Sequence, residues 1–345
     1  MSILTRVERR SRTGRLFLGG VFTAILVGSV TMIYPFLLML SGSMRSDMDI
    51  SRMDVVPDFL TDRTMLVRKF LETKYNYDPT AMNLYRQGRD YSFEQAAVPP
   101  AVHPARVADF TAFVRTAGLP DHWQVPGGTR LVRHMESAAL RELRARVRQH
   151  YDDDLARLNR DTGTPLASWA QLEVLPPNWS HPRYDYVPSP VFTLAFDLMR
   201  DRPVADRAFV NLTGAFLRRV IYPAYGRSDV TAYNKAHAEP IASYETFALP
   251  RRVPPRDQPV LRAEWLTFVH ENCHVSFVRA DVPVETYRAF VHERVATAQA
   301  PRRLGTGNEA SRADDLELPA EREWIAAERA GIYRAFLAGL PPERL

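Results

Sequence analysis

Hydrophobic positions along the chain follow two regimes. From Leu16 to Met44 no residue is charged, and Leu16–Leu40 is almost continuously apolar. At about 1.5 Å per residue, such a run crosses a hydrocarbon core of about 30 Å with length to spare. It exceeds the roughly 7–15 residues of a signal-peptide core, which predicts an uncleaved transmembrane helix over residues 16–44. The small residues Ser41-Gly42-Ser43 leave cleavage as the lesser reading. Beyond this segment the apolar residues recur at helical spacing instead. Leu140, Leu143, Val147, Tyr151, Leu155 and Leu158 step by three or four, the apolar face of one long helix. Asn159 and Gly163 stand where that helix must stop, because both tolerate left-handed backbone. Ser168 then caps a short helix, with Gln171 completing a capping box, and Leu175-Pro176-Pro177 ends it. Ser92 and Gln95 repeat that pair.

The same pattern returns elsewhere. Asn159 through Trp169 aligns without a gap on Asn234 through Tyr244, 75 residues later, and a weaker copy runs from Asn83 to Phe93. Tyr75, Tyr151 and Tyr225 precede the three asparagines, and Pro99, Pro176 and Pro250 close the three copies. A second recurring piece pairs two aromatics with an aliphatic residue: Phe110, Phe113 and Val114; Trp265, Phe268 and Val269; Tyr287, Phe290 and Val291; Tyr333, Phe336 and Leu337. Each reads as a short amphipathic helix. Proline-rich or charged linkers lie at 97–104, 250–259 and 300–320. The expected fold is mainly α: one N-terminal transmembrane helix, then a helical domain of about three related units of roughly 75 residues. A strand at Val275–Arg279 would be a minor addition. The expected organisation is a basic tail over 1–15, the span over 16–44 and an extracytoplasmic domain over 45–345.

Charge fixes the expected orientation. Arg6, Arg9, Arg10, Arg12 and Arg15 against Glu8 put +4 in the first 15 residues, which leaves +1 of the net +5 for the rest. The positive-inside rule places the N-terminus in the cytoplasm and everything after Arg45 outside. A folded domain with so little net charge lacks the basic face a nucleic-acid binder needs. The single cysteine, Cys273, excludes an intrachain disulfide.

One catalytic motif invites attention. His270-Glu271-Asn272-Cys273-His274 has the H-E-x-x-H spacing that, on a continuous helix, offers two imidazoles to zinc and a Glu as general base; Glu285 or Glu293 would supply a third ligand. The recurring aromatic helices argue against it. His274 falls six residues after Phe268, where the related helices are already ending at Pro120 and Pro341. Asp152-Asp153-Asp154 reads as a solvated turn on the long helix. Asn178-Trp179-Ser180 and Asn211-Leu212-Thr213 are glycosylation-type triplets. The recurring asparagines read as caps, with sugar contact by Asn159 and Asn234 the sharper alternative. No catalytic, cofactor or metal residues are assigned, and no enzymatic activity or cofactor is expected.

Around the end of the apolar run the chain resembles a family. Tyr34-Pro35-Phe36-Leu37-Leu38-Met39-Leu40-Ser41-Gly42-Ser43-Met44-Arg45-Ser46-Asp47 is similar to the end of the first transmembrane helix in carbohydrate-type ABC importer permeases, and Val56-Pro57-Asp58-Phe59-Leu60 to the segment that follows it. The similarity covers roughly residues 12–60. The chain departs from the family in lacking about five further spans and the cytoplasmic Glu-Ala-Ala loop that docks on the ATPase. The resemblance therefore implies a permease fragment or truncated permease in a bacterial inner membrane, carrying a large extracytoplasmic insertion and acting through contacts. Its implied partners are a second permease subunit, an ATP-binding subunit, a solute-binding protein and membrane lipid. The alternatives are a single-span anchored interaction protein and an anchored zinc metallopeptidase using His270, Glu271 and His274.

Overall fold

The computed structural model describes residues 12–46, 48–50, 54–132, 136–237, 239–297 and 316–345; the side chains of residues 295–297 are not described. The chain is mainly helical and divides into two compact units. One comprises Met1–Phe70 with Ser92–Glu94, the other Leu71–Tyr91 with Gln95–Leu345. Residues 1–11 of the expected basic tail and most of the 300–320 linker lie outside the described residues, and residues 12–15 of that tail belong to the first helix.

The first unit is built on α1, Arg12–Ser43, which matches the expected span to within a few residues. Its apolar side chains are bare: Leu16, Phe22, Leu26, Met32, Phe36 and Met39 are all exposed, and only Gly14 and Ser41 are buried. Among the described residues it is the one helix long and apolar enough to cross a membrane.

Helix α2 (Arg63–Lys74) belongs to the first unit up to Phe70 and to the second from Leu71. The second unit continues with α3 (Pro79–Arg86), α4 (Pro104–Thr116), α5 (Ala138–His150), α6 (Leu155–Thr162) and α7 (Pro190–Asp201). Then come α8 (Leu212–Phe216), α9 (Tyr222–Tyr225), α10 (Thr231–Ala236), α11 (Pro259–Thr267), α12 (Val284–Thr297) and α13 (Ala327–Gly339). Strand β1 (Gln124–Val125) pairs antiparallel with β2 (Ala208–Phe209), Gln124 opposite Phe209. The expected strand at Val275–Arg279 does not form. Val275–Phe277 is a 3₁₀ turn, because His274 accepts the Ser276 N–H through its own ring and starts a turn instead.

The predicted long helix is two helices. α5 stops at His150, Asp152 and Asp153 take left-handed backbone at φ 53° and 60°, and Asp154 caps α6 by accepting the Arg157 N–H. The apolar period survives the break because Tyr151 and Leu158 are both buried in one cluster with Leu143, Val147, Leu172 and Leu198. The same device precedes α3: Asn76 and Tyr77 are left-handed at φ 53° and 60°, and Asp78 caps by accepting the Thr80 N–H. A larger cluster forms the other part of the core, with Phe216, Tyr233, Trp265, Phe268, Tyr287, Tyr333 and Phe336 fully or almost fully buried.

Each recurring asparagine makes the same clamp. Asn83 donates to the Asp90 carbonyl (2.6 Å) and accepts the Asp90 N–H (2.9 Å). Asn159 does so with Leu166 (2.9 and 3.1 Å), and Asn234 with Ile241 (2.9 and 2.8 Å). A primary amide satisfies one donor and one acceptor of an irregular loop at once, which is what a chain leaving a helix needs. Gly163 provides the left-handed residue that ends α6. The capping box forms by half. Gln95 and Gln171 accept the Tyr91 and Ala167 N–H groups, whereas Ser168 makes no side-chain cap, and the short helices are 3₁₀ turns.

Candidate functional site

Polar side chains gather around the end of α1. Ser41 donates to the Asp54 carbonyl (2.7 Å), and the buried Arg45 reaches both Ser41 and that same carbonyl. Asp49 accepts the Ser46 N–H at 2.7 Å and pairs with Lys69 at 3.2 Å, while Lys69 also donates to Ser46 and lies 4.7 Å over the Phe59 ring. Ser41 and Arg45 thus hold the Asp54 carbonyl, and Ser46, Asp49 and Lys69 engage one another, where the helix gives way to irregular backbone.

The H-E-x-x-H residues do not share a helical face. α11 passes into a π-helical turn over Phe268–Asn272, which carries His270 and Glu271, and the chain is extended at Cys273. His274 lies beyond that end. Its ring is buried, stacked on Trp324 at 4.0 Å and 11°, and its Nδ1 accepts the Ser276 N–H. The i, i+4 geometry that would converge two imidazoles requires the missing helical turn. Among the described residues, no group of three metal-ligating side chains comes together.

His274 belongs to an aromatic cluster that sequence reasoning missed. Trp179 and Trp324 lie 5.0 Å apart, with Tyr184, Tyr186 and His122 around them. Burial lowers both histidines to about 4, assisted by Arg279 at His122 and Arg334 at His274. Both are neutral core residues at ordinary pH. Their contributors lie far apart in sequence, at 122, 179, 274 and 324, so no local pattern announces them.

A second polar constellation joins α10 to α11. His237 Nε2 lies 2.9 Å from Glu264, its Nδ1 lies 2.8 Å from the Tyr233 carbonyl, and Tyr225 donates to the other Glu264 oxygen. His237 also stacks on Tyr233 at 3.7 Å. Every polar atom of the imidazole is engaged inside the chain, so the trio fastens two helices rather than presenting a free base.

Asn159 and Asn234 commit both amide atoms to their clamps, so their side chains face the loop backbone rather than a saccharide. Asn211 caps α8 by accepting the Gly214 N–H (3.1 Å) and also donates to the Tyr85 carbonyl, while Asn178 accepts from Ser180 beside the buried Trp179. Cys273 is buried, and burial pushes its thiol up to about 12, which makes it inert as a nucleophile. Comparison with protein-family models, with curated proteins and with solved structures finds no match.

Proposed function

We propose that this chain is the membrane component of an ABC-type, sugar-class importer. It would be a permease segment with a helical extracytoplasmic insertion, working by protein contact rather than chemistry. One observation carries the reading. The stretch that resembles a permease, roughly residues 12–60, falls inside one compact unit, Met1–Phe70 with Ser92–Glu94, while Leu71–Tyr91 and Gln95–Leu345 fold as a separate unit. An insertion after the first span of a permease has that organisation. The polar constellations also favour contact over catalysis, since the His237–Glu264–Tyr225 trio is internally satisfied and His270 and His274 point to different surroundings. The exposed aromatic face of α4, with Phe110 and Phe113 open to solvent, is the kind of surface a protein acting by contact presents.

In this reading the span lies in a bacterial inner membrane with the basic tail in the cytoplasm, and the partners are a second permease subunit, an ATP-binding subunit and a solute-binding protein. The three asparagine clamps support descent of the helical unit from about three copies of one ancestral element. Affinity purification of the full chain from its native membrane tests the assignment. Co-purification of an ATPase with a multi-span permease is expected. Recovery of other proteins with neither of those overturns the importer reading in favour of an anchored interaction protein of another system.

A further inference from the structure

An open groove of about 440 Å³ lies where α3 and the loop after it face the segment from Gly214 to Arg227. That volume falls within the range of about 300–1,000 Å³ that holds small molecules. Three arginines line it, and each is steered by a backbone carbonyl. Arg89 donates to Ser228 (2.8 Å), Arg227 donates to Arg89 (2.9 Å) and Arg218 donates to Thr80 (3.3 Å). The first two bonds tie the opposite walls together. Elsewhere in this unit arginines neutralise carboxylates, as Arg146, Arg148, Arg200 and Arg202 do. Among the described residues none of the three groove arginines has such a partner. Asp90 also lines the groove, so three positive charges against one negative leave it at +2.

Aromatic surface adjoins this charge. Tyr91 is 75% exposed, which is high for a residue of its type, and Arg227 lies 4.5 Å over its ring. Tyr222, half-buried, forms part of the wall, with the charges of Arg89 and Arg227 reaching its hydroxyl. The floor is set by backbone, since a Cβ on Gly214 would fall 1.9 Å from the Leu84 carbonyl oxygen.

We propose that this groove binds a small molecule that joins an oxyanion to a ring. The guanidinium groups of Arg89, Arg218 and Arg227 take the carboxylate, sulfate or phosphate, in the planar donor geometry such groups favour. The Tyr91 ring takes the flat face beside it. The inference stands on the groove alone and does not depend on the importer reading.

Calorimetric titration of the full chain in detergent at low ionic strength tests it, with sodium phenyl phosphate, phenol and sodium sulfate as probes. Phenyl phosphate is expected to bind saturably and at least tenfold more tightly than phenol or sulfate, and to weaken as salt is added. The double variant Arg218→Gln with Arg227→Gln is expected to weaken it at least tenfold while the circular dichroism melt is retained. Tyr91→Ala should weaken phenyl phosphate severalfold and leave sulfate unchanged. Equal affinity for phenyl phosphate and phenol, or an arginine variant that folds and binds as before, overturns the proposal. So does saturable binding of no probe. Should the double variant fail to fold, Tyr91→Ala decides, because so exposed a side chain is removable without unfolding; unchanged phenyl phosphate affinity in that variant overturns the proposal.

Discussion

Helices α4 and α13 carry the same motif with opposite fates. In α13, Tyr333 and Phe336 are 1% and 3% exposed and pack with Tyr287 and Phe290 of α12. In α4, Phe110 and Phe113 are 48% and 56% exposed, and among the described residues Phe110 meets one aromatic ring, Phe209, at 85°. The pattern of two aromatics and an aliphatic residue therefore specifies a helix with an apolar face but not what covers it. Burial is conferred by neighbours that arrive from elsewhere in the chain, and α4 has few of them.

The comparison is most easily broken on its buried side. Phe336→Ala should cost about 4 kcal/mol of unfolding free energy, the range for deleting a core aromatic. Phe113→Ala should cost under about 0.5 kcal/mol, as an exposed substitution does. Denaturant unfolding followed by circular dichroism measures both, and equal losses would mean that α4 is covered.

Acid sharpens the buried side further. His122 and His274 have folded-state values near 4, below the usual 6.5, so between those limits the unfolded chain takes up protons that the folded chain refuses. Their contribution is complete above about pH 6.5 and is lost as pH falls towards 4, by about 3 kcal/mol for each group. Unfolding midpoints measured from pH 7 to pH 4 should fall accordingly, and His122→Leu should remove close to half of the slope. A flat profile over that window would show the two rings to be solvated.

A smaller effect belongs to the clamps. Asn234→Ala leaves the N–H and carbonyl of Ile241 without their partner and should cost about 1–2 kcal/mol. Asn159→Ala should cost a similar amount at Leu166. Widely different losses at the two sites, in the same unfolding assay, would separate clamps that look alike.

What was legible in the sequence was local. The apolar run from Leu16 defined α1, Gly163 fell where α6 ends although Asn159 lies inside that helix, and the linkers at 97–104 and 250–259 hold no helix before their last residues, where α4 and α11 begin. The break after Tyr151 was not legible, because helical periodicity continues through Asp152-Asp153 and only the left-handed backbone of those two residues reveals the turn. The single-turn π segments at Leu217–Ile221 and Phe268–Asn272 add one residue per turn without any compositional mark. The groove was illegible for a different reason. Its walls come from residues 79–91 and 214–227, brought together by the fold, and each arginine taken alone is an ordinary surface residue.

Gly214 has a consequence for anyone wishing to alter this protein. With the Leu84 carbonyl so close beneath it, the contact between α3 and α8 is held at a spacing that a single hydrogen atom permits. Replacing that hydrogen by a methyl group would act like a shim, prising the two helices apart and reshaping the groove above them while every other side chain lining it kept its identity.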